Sequence, residues 1–505
     1  MTTPLIQERA EIVATLFALQ QAFEELIVRG LESTGTDDTR RLATLGDELA
    51  RAGAAYLAGL ISALVHAIKE RDDGAARALL RAQTAARVFE RVLSLDAAAE
   101  AFGGGDPAGF AGGAGGKAPR GEAGPPERAG SAAAPPATTG TSAPDTALVP
   151  VLEELASLIE GVIGAGLTTA TKATLEKLGA SFKEASRLRL LRLATSLRYV
   201  TDECGRFLAE SEHFSARRLA FFLNRTWLIA RGLREAIDES NHAAISRLLL
   251  QSTPQPVKSV TAAVIGVQKR ALLDGSAAFE FRMRTLGDAP GVPLGTRLVW
   301  SCVFGARKNV PAEAFLHLPQ PQKFTPRTLL DGRRITIADA AITADGRLML
   351  GPKSTVTAGA PFDRWSELVT WDTGRALERI ATHAISPLDL EVELQEEIVV
   401  TDYELGAAAP NPFRAEQQVM PLCASGLELD AVVPDGPDGA ELLAALADMR
   451  KSKKQPPLYG LVHYEMARLV FQPLTAITDK GTQHLMISSE KIDLAALMKT
   501  LDFTT

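Results

Sequence analysis

Between Leu178 and Ile237, apolar residues return every third or fourth position. Leu188, Leu191 and Ala194/Leu197 lay one stripe along a helix, and Leu219, Leu223, Thr226/Trp227, Ala230 and Leu233/Arg234 lay a second. The spacing predicts two helices facing each other across a short break around 211–215. Ser215 is the expected N-cap, its hydroxyl accepting from a free N–H of the next turn. The same period runs through 5–96, in Ile12, Leu16, Phe23 and Leu31, then Leu42, Leu45, Leu49 and Leu57, then Leu79, Ala86 and Leu93. Each stripe leaves a polar face, the pattern of helices packed in a bundle.

Residues 101–147 break this pattern. The run is almost wholly Gly, Ala, Pro, Ser and Thr, with too little apolar bulk to offset the entropy of ordering its backbone. It is expected to be a disordered linker between a helical module at 1–100 and a second at 148–252. The two modules read as related copies. Gly30-Leu31 matches Gly166-Leu167, Leu45-Gly46 matches Leu178-Gly179, Leu57, Leu60 and Leu64 match Leu190, Leu193 and Leu197, and Arg77, Leu79, Arg91 match Arg217, Leu219, Arg231.

From 253 the texture changes. Pro254 and Pro256 bar a continuing helix. Short β-rich runs follow at 279–285, 297–304, 312–318, 333–343 and 347–350, with Asp331-Gly332 and Asp345-Gly346 as turn dipeptides. Ile385–Leu405 alternates Leu388, Leu390, Val392 and Leu394 with Asp389, Glu391 and Glu393, as in a half-buried antiparallel strand. Helical patches are expected at 373–383, 439–453 and 492–501. The fold class is therefore α+β and multidomain: two helical bundle modules joined by a disordered linker, then a β-rich α+β domain at 253–505, with a sub-domain division near Pro410–Pro412.

Composition adds bounds. At 505 residues the chain exceeds one core. A formal charge of −7 argues against bulk nucleic-acid binding. Cys204, Cys302 and Cys423 form no local pair, as in a reducing compartment. No basic start precedes an apolar run and no run reaches membrane length, so the expectation is a cytoplasmic protein without a secretory signal.

No motif for a nucleophile and base, a phosphate cradle or a metal set is present. The seven histidines are dispersed, so no catalytic residue, metal or cofactor is expected. The rival is an enzyme site assembled in the C-terminal domain around His317, His383 or His463. Asp389, Glu391 and Glu393 read as the wet face of a strand, and Trp300, Trp365 and Trp371 as packing residues. The least ordinary feature is the basic run from Lys183 to Arg234, where basic residues outnumber acids about two to one. Its candidate binding residues are Arg187, Arg189, Arg192, Arg198, Arg217, Arg218 and Arg225, whose guanidinium forks suit carboxylates or phosphates. Three readings stand: a solvated face neutralised by nearby acids, a protein partner, or nucleic acid. Phe221, Phe222 and Trp227 have a spacing that suits burial rather than base stacking.

The LxxLG stretch, followed by RLRLLRLATSLRYV and ARRLAFFLNRTWLIARGLREAI, resembles a helical region of bacterial SWIM zinc-finger proteins and their companions, over roughly 150–240. Such proteins are often encoded beside MoxR-type AAA ATPases and von Willebrand A-domain proteins. The SWIM ligands, CxC followed by CxH, are absent, so no zinc or nucleic-acid role carries over. The resemblance implies an accessory protein of such a system, with an AAA ATPase or von Willebrand A-type partner. The expected function is a non-enzymatic interaction or scaffold protein.

Overall fold

The helical period builds the first half of the chain. In the computed structural model, which describes residues 3–103, 148–249, 254–272, 276–287, 289–305, 307, 310–362, 364–365, 373–424, 427–452, 454–478 and 481–487, its helices are α1 (Thr3–Arg29), α2 (Thr36–Arg51), α3 (Ala55–Lys69), α4 (Ala75–Gly103), α5 (Leu148–Ala165), α6 (Lys172–Arg187), α7 (Leu191–Leu208), α8 (Ala216–Asp238) and α9 (His242–Leu249). The expected linker lies outside the described residues from 104 to 147, as does the helical patch at 492–501. The fold is α+β and multidomain, a helical region followed by a β-rich one. It divides into two compact units, one within Met1–Arg87 and Phe102–Gln251, the other within Val88–Ala101 and Ser252–Thr505. Both helical segments thus fall in one unit, and the last turns of α4 belong to the other. Among the described residues, no helix is long and apolar enough to cross a membrane.

Within the helical unit one order occurs twice. α1, a 3-10 turn (Leu31–Ser33), α2, α3 and α4 are followed by α5, a 3-10 turn (Leu167–Thr169), α6, α7 and α8. Each 3-10 turn is entered through a glycine at positive φ, Gly30 at 90° and Gly166 at 79°. These glycines meet. A Cβ on Gly30 would lie 2.4 Å from the Ala165 carbonyl oxygen, and one on Gly166 would lie 2.3 Å from the Gly30 nitrogen. Thr84 of α4 and Asn224 of α8 also touch, Asn224 Nδ2 donating to Thr84 Oγ1 at 3.0 Å and to the Leu80 carbonyl at 2.9 Å. α8 is the most enclosed helix: Leu219, Leu223, Trp227, Ala230 and Leu233 are all buried.

The second unit holds two sheets. The first is antiparallel, β1 (Gln255–Ala271), β2 (Ala277–Thr285), β3 (Arg297–Phe304), β4 (Arg333–Ile342) and β5 (Leu348–Pro361), in the order β3-β2-β1-β4-β5. After it come α10 (Thr373–Ala381), β6 (Glu396–Val400), β7 (Tyr403–Leu405), β8 (Ala409–Pro410), β9 (Gln417–Ala424), β10 (Leu427–Pro434), α11 (Pro437–Lys451), β11 (Leu458–Glu465), β12 (Arg468–Thr478) and β13 (Gly481–His484). Their strands make the second sheet, β6-β11-β12-β10-β9-β7, with β13 on β12 and β8 on β9. The sheets meet where β1 bulges at Val264/Gly266: a Cβ on Gly266 would be 2.4 Å from the Tyr459 ring, so only glycine fits. Behind the contact Arg282 and Arg284 of β2 converge on Glu397 of β6, at 3.3 and 2.6 Å, all three buried. Burial alone would push the Glu397 carboxyl up, but Arg284 and Arg282 outweigh it and hold it below the usual range.

The helix residues 88–94 serve this second unit. Met466 and Ala467 turn the β11–β12 hairpin at φ 50° and 56°. The Met466 N–H donates to Glu90 Oε1 at 2.8 Å and the Ala467 N–H to Ser94 Oγ at 3.0 Å, while Arg91 donates to the Tyr464 carbonyl at 2.6 Å.

Several expectations change. The stripe through Leu188 and Leu191 is no single helix, because Arg189 at φ 58° separates α6 from α7 and leaves Leu191 65% exposed. Residues 312–318 form a 3-10 turn (Ala312–His317) instead of a strand. The alternation at 388–394 is a loop and a 3-10 turn (Glu391–Glu393), its acids spent locally: Asp389 accepts from His383 and Ser386, Glu391 from Arg414, and Glu393 from the Leu390 N–H. The sheet changes between β5 and β6, whereas Pro410 belongs to a strand paired with β9. The long β1, with Pro256 near its start, is an element that the sequence reading missed.

Candidate interaction surface

The arginines of 183–234 do not share one face. Glu203 of α7 is wholly buried and is the hub for two of them: Arg206 and Arg218 both donate to it, as does the Ser215 N–H at 3.0 Å. Ser215 caps α8 as expected, its hydroxyl accepting from the Arg218 N–H at 3.2 Å. Arg225 is 2% exposed and donates to Ser196 at 3.2 Å, a core position that its charge alone did not betray. Arg187 is exposed and forks onto Glu184 at 2.8 and 2.6 Å. Arg192 reaches the Arg247 carbonyl at 3.4 Å, Arg217 acts on Glu24, and Arg189 is exposed in the bend between α6 and α7.

Arg198 is different. It is exposed on α7, and its guanidinium lies 5.9 Å from the centre of the Tyr199 ring. Tyr199 stacks on Phe222 of α8 at 4.2 Å and 12°, and Phe222 meets Phe221 edge-on at 4.9 Å. Arg87 of α4 covers Phe221 at 4.2 Å. Five side chains from three helices thus form a ladder of guanidinium, three rings and guanidinium. Phe222 is buried as its spacing predicts, but Tyr199, Phe221 and Arg87 are half-buried. Aromatic pairs and cation–π contacts contribute about 0.5–1.5 kcal/mol each, so the ring contacts favour the arrangement seen here. Arg87 and Tyr199 were missed in the sequence because their partner rings lie on other helices.

A second charged centre lies on α5. Glu160 accepts from Trp227 Nε1 at 2.8 Å, from Arg231 at 2.9 Å and from Arg77 at 3.3 and 3.0 Å. Burial opposes its charge, but these hydrogen bonds prevail and bring it down to about 2. Glu24 of α1 has the opposite fate: burial pushes it up to about 7, with Arg217 opposing and Glu25 adding to the rise.

In the second unit, His383 Nε2 lies 3.0 Å from Asp389, lining a cavity of about 40 Å³ with Arg91, Arg379 and Tyr464. That volume holds water and little else. His463 is buried and His484 half-buried, and desolvation lowers both, His484 to about 4; His317 is lowered by partial burial and Arg327. Cys204 is buried, Cys302 half-buried and Cys423 exposed, all as free thiols. Burial drives the Cys204 and Cys302 thiols up to about 12, far from a nucleophile's range. Among the described residues no three His, Cys, Asp or Glu side chains gather as a metal site.

No family model matches the chain, and no curated protein matches it. Among solved structures, one described as the molecular basis for abrogation of activation of pro-inflammatory cytokines is similar over 44% of this chain and 90% of its own, at 10% identity and a TM-score of 0.22. Another, described as structural mimicry for functional antagonism, covers the same shares at 8% identity and a TM-score of 0.21. Likeness at these scores carries no argument about fold or function.

Proposed function

We propose that this chain is a non-enzymatic docking protein, a scaffold component of a cytoplasmic bacterial assembly, and that its helical unit arose by duplication of one four-helix module. The ladder from Arg198 to Arg87 carries the reading. Arginine and aromatic side chains dominate protein-binding hot spots, because they offer large contact area and directional donors at little entropic cost when already held in place. The paired positive-φ glycines and the twice-used helix order support the duplication. The partner we favour is a protein, with an AAA ATPase or a von Willebrand A-type protein as the class that the sequence resemblance implies.

The test is purification of the full chain from its native host with and without nuclease, beside a gel shift with DNA and RNA at low and moderate salt. The expected result is nuclease-resistant recovery of one fixed partner by the wild type and its loss in Arg198→Glu, whose exposed side chain can be changed without unfolding the helix. Salt-sensitive nucleic-acid binding that disappears when Arg187, Arg192 and Arg198 become alanine would defeat the proposal.

A further inference from the structure

A different face of the helical unit holds an open groove of about 450 Å³ between α4 and α8. Arg77 and Arg81 line it from α4, and Trp227, Arg231 and Asp238 from α8. Its volume suits a few peptide residues. The charges are divided along it. At one end Arg77 and Arg231 share a single carboxylate, Glu160, whose two oxygens are already filled by them and Trp227, and Arg81 follows one turn along α4 from Arg77. At the other end Arg234 lies 3.3 Å from both Glu153 and Asp238, and Glu235 adds a further negative charge.

Arg81 is the opening in this arrangement. It is exposed and makes neither a hydrogen bond nor an ion pair among the described residues, while the arginines beside it are held in fixed geometry. A carboxylate entering here gains a bidentate fork on Arg81 beside a local excess of positive charge. The half-buried Leu228 beside it is available to the neighbouring apolar residue, while Trp227, buried and bonded to Glu160, forms the wall behind. A polyanion fits poorly, because its next charges run towards Glu235 and Asp238. We infer that the α4–α8 groove binds a short acidic segment of a partner protein, one carboxylate on Arg81 and an apolar neighbour on Leu228. This inference goes beyond the ladder and rests on the docking reading only for the partner's being a protein.

The test uses the full chain and three fluorescein-labelled probes: an amidated peptide with one glutamate followed by leucine between glycine and serine residues, its counterpart with lysine in place of the glutamate, and a single-stranded oligonucleotide of similar length. Anisotropy should rise with the acidic peptide, and Arg81→Glu should weaken that binding at least tenfold. Arg198→Glu should leave it within twofold. Unchanged circular dichroism and an unchanged unfolding midpoint in Arg81→Glu establish that the fold survives. No binding by the wild type, equal binding by wild type and Arg81→Glu, or oligonucleotide binding as tight as the peptide's would each overturn the inference. Loss of the native partner in Arg198→Glu alongside any of those results would leave the docking reading standing and remove only the groove.

Discussion

Glu24 and Glu160 stand six residues before Gly30 and Gly166 respectively, at matching places on α1 and α5, yet only one of them is satisfied. Glu160 gathers Trp227, Arg77 and Arg231, whereas Glu24 faces Arg217, and burial dominates. Two carboxylates of the same chemistry are therefore separated by their surroundings, one held near 2 and the other near 7.

The pH dependence at Glu24 follows from that difference. Its folded value of about 7 lies above the ordinary 4.5, so its stability contribution is complete below about 4.5 and is lost as pH rises through 7. Glu24→Gln removes that loss. The variant should be more stable than wild type by about 2–3 kcal/mol at pH 8 and nearly equal to it at pH 4.5. Urea unfolding at the two pH values measures it, and an equal effect at both would show that Glu24 does not titrate in this range.

Glu160 reverses the sign. With its folded value near 2, its stabilisation is present above 4.5 and is lost as pH falls towards 2. Glu160→Gln should cost about 1–2 kcal/mol at pH 7, since charge-assisted bonds are weakened and two guanidiniums lose their counter-charge. At pH 2.5 most of that difference should vanish in the same measurement.

Gly30→Ala and Gly166→Ala should each destabilise by about 3 kcal/mol or more, because each Cβ meets the facing backbone and each φ is positive. Since the two glycines share one contact, the double variant should cost less than the sum of the singles. Additivity in a denaturant-based double-mutant cycle would mean that the contact is not shared.

The β11–β12 turn offers a change in the other direction. Ala467 sits at φ 56°, where a Cβ costs about 1 kcal/mol or more and glycine does not. Ala467→Gly should raise the unfolding free energy by about 1 kcal/mol, and Ser94→Ala should lower it by about 1 kcal/mol, because the half-buried Ala467 N–H loses the buried Ser94 hydroxyl. A fall in stability for Ala467→Gly would contradict the geometry of this turn.

What the sequence disclosed was local. Ser215 before α8 and Gly346 in the β4–β5 hairpin announce themselves because cap and turn need no distant partner. The glycines at 30 and 166 match in sequence and meet in the structure, but the helix starts set the correspondence three residues away from the one that the leucines suggest. The chance identity of Leu45-Gly46 with Leu178-Gly179 drew the alignment, while α2 and α6 place Leu42 opposite Leu178. Arg189 concealed a helix break because arginine is no turn residue. The acids at 389, 391 and 393 imitated strand alternation while bonding to His383, Arg414 and a local N–H. Of the candidate arginines, only Arg198 joins the ladder, since burial of Arg225 and the Glu203 hub depend on helices meeting in space.

The hairpin bonds of Glu90 and Ser94 also fix an order of events. Glu90 and Met466 lie 376 residues apart along the chain. At about 5–20 residues per second, a ribosome exposes the carboxylate roughly 20–75 s before the N–H it will accept. The closing of so long a loop adds little to its equilibrium cost but delays the contact in time. A C-terminal piece starting at 253 would be made without Glu90, Arg91 and Ser94, leaving the Met466 and Ala467 N–H groups to water. The second unit is thus sewn from two distant stretches of the polypeptide, and a helix made early waits for a hairpin synthesised hundreds of residues later.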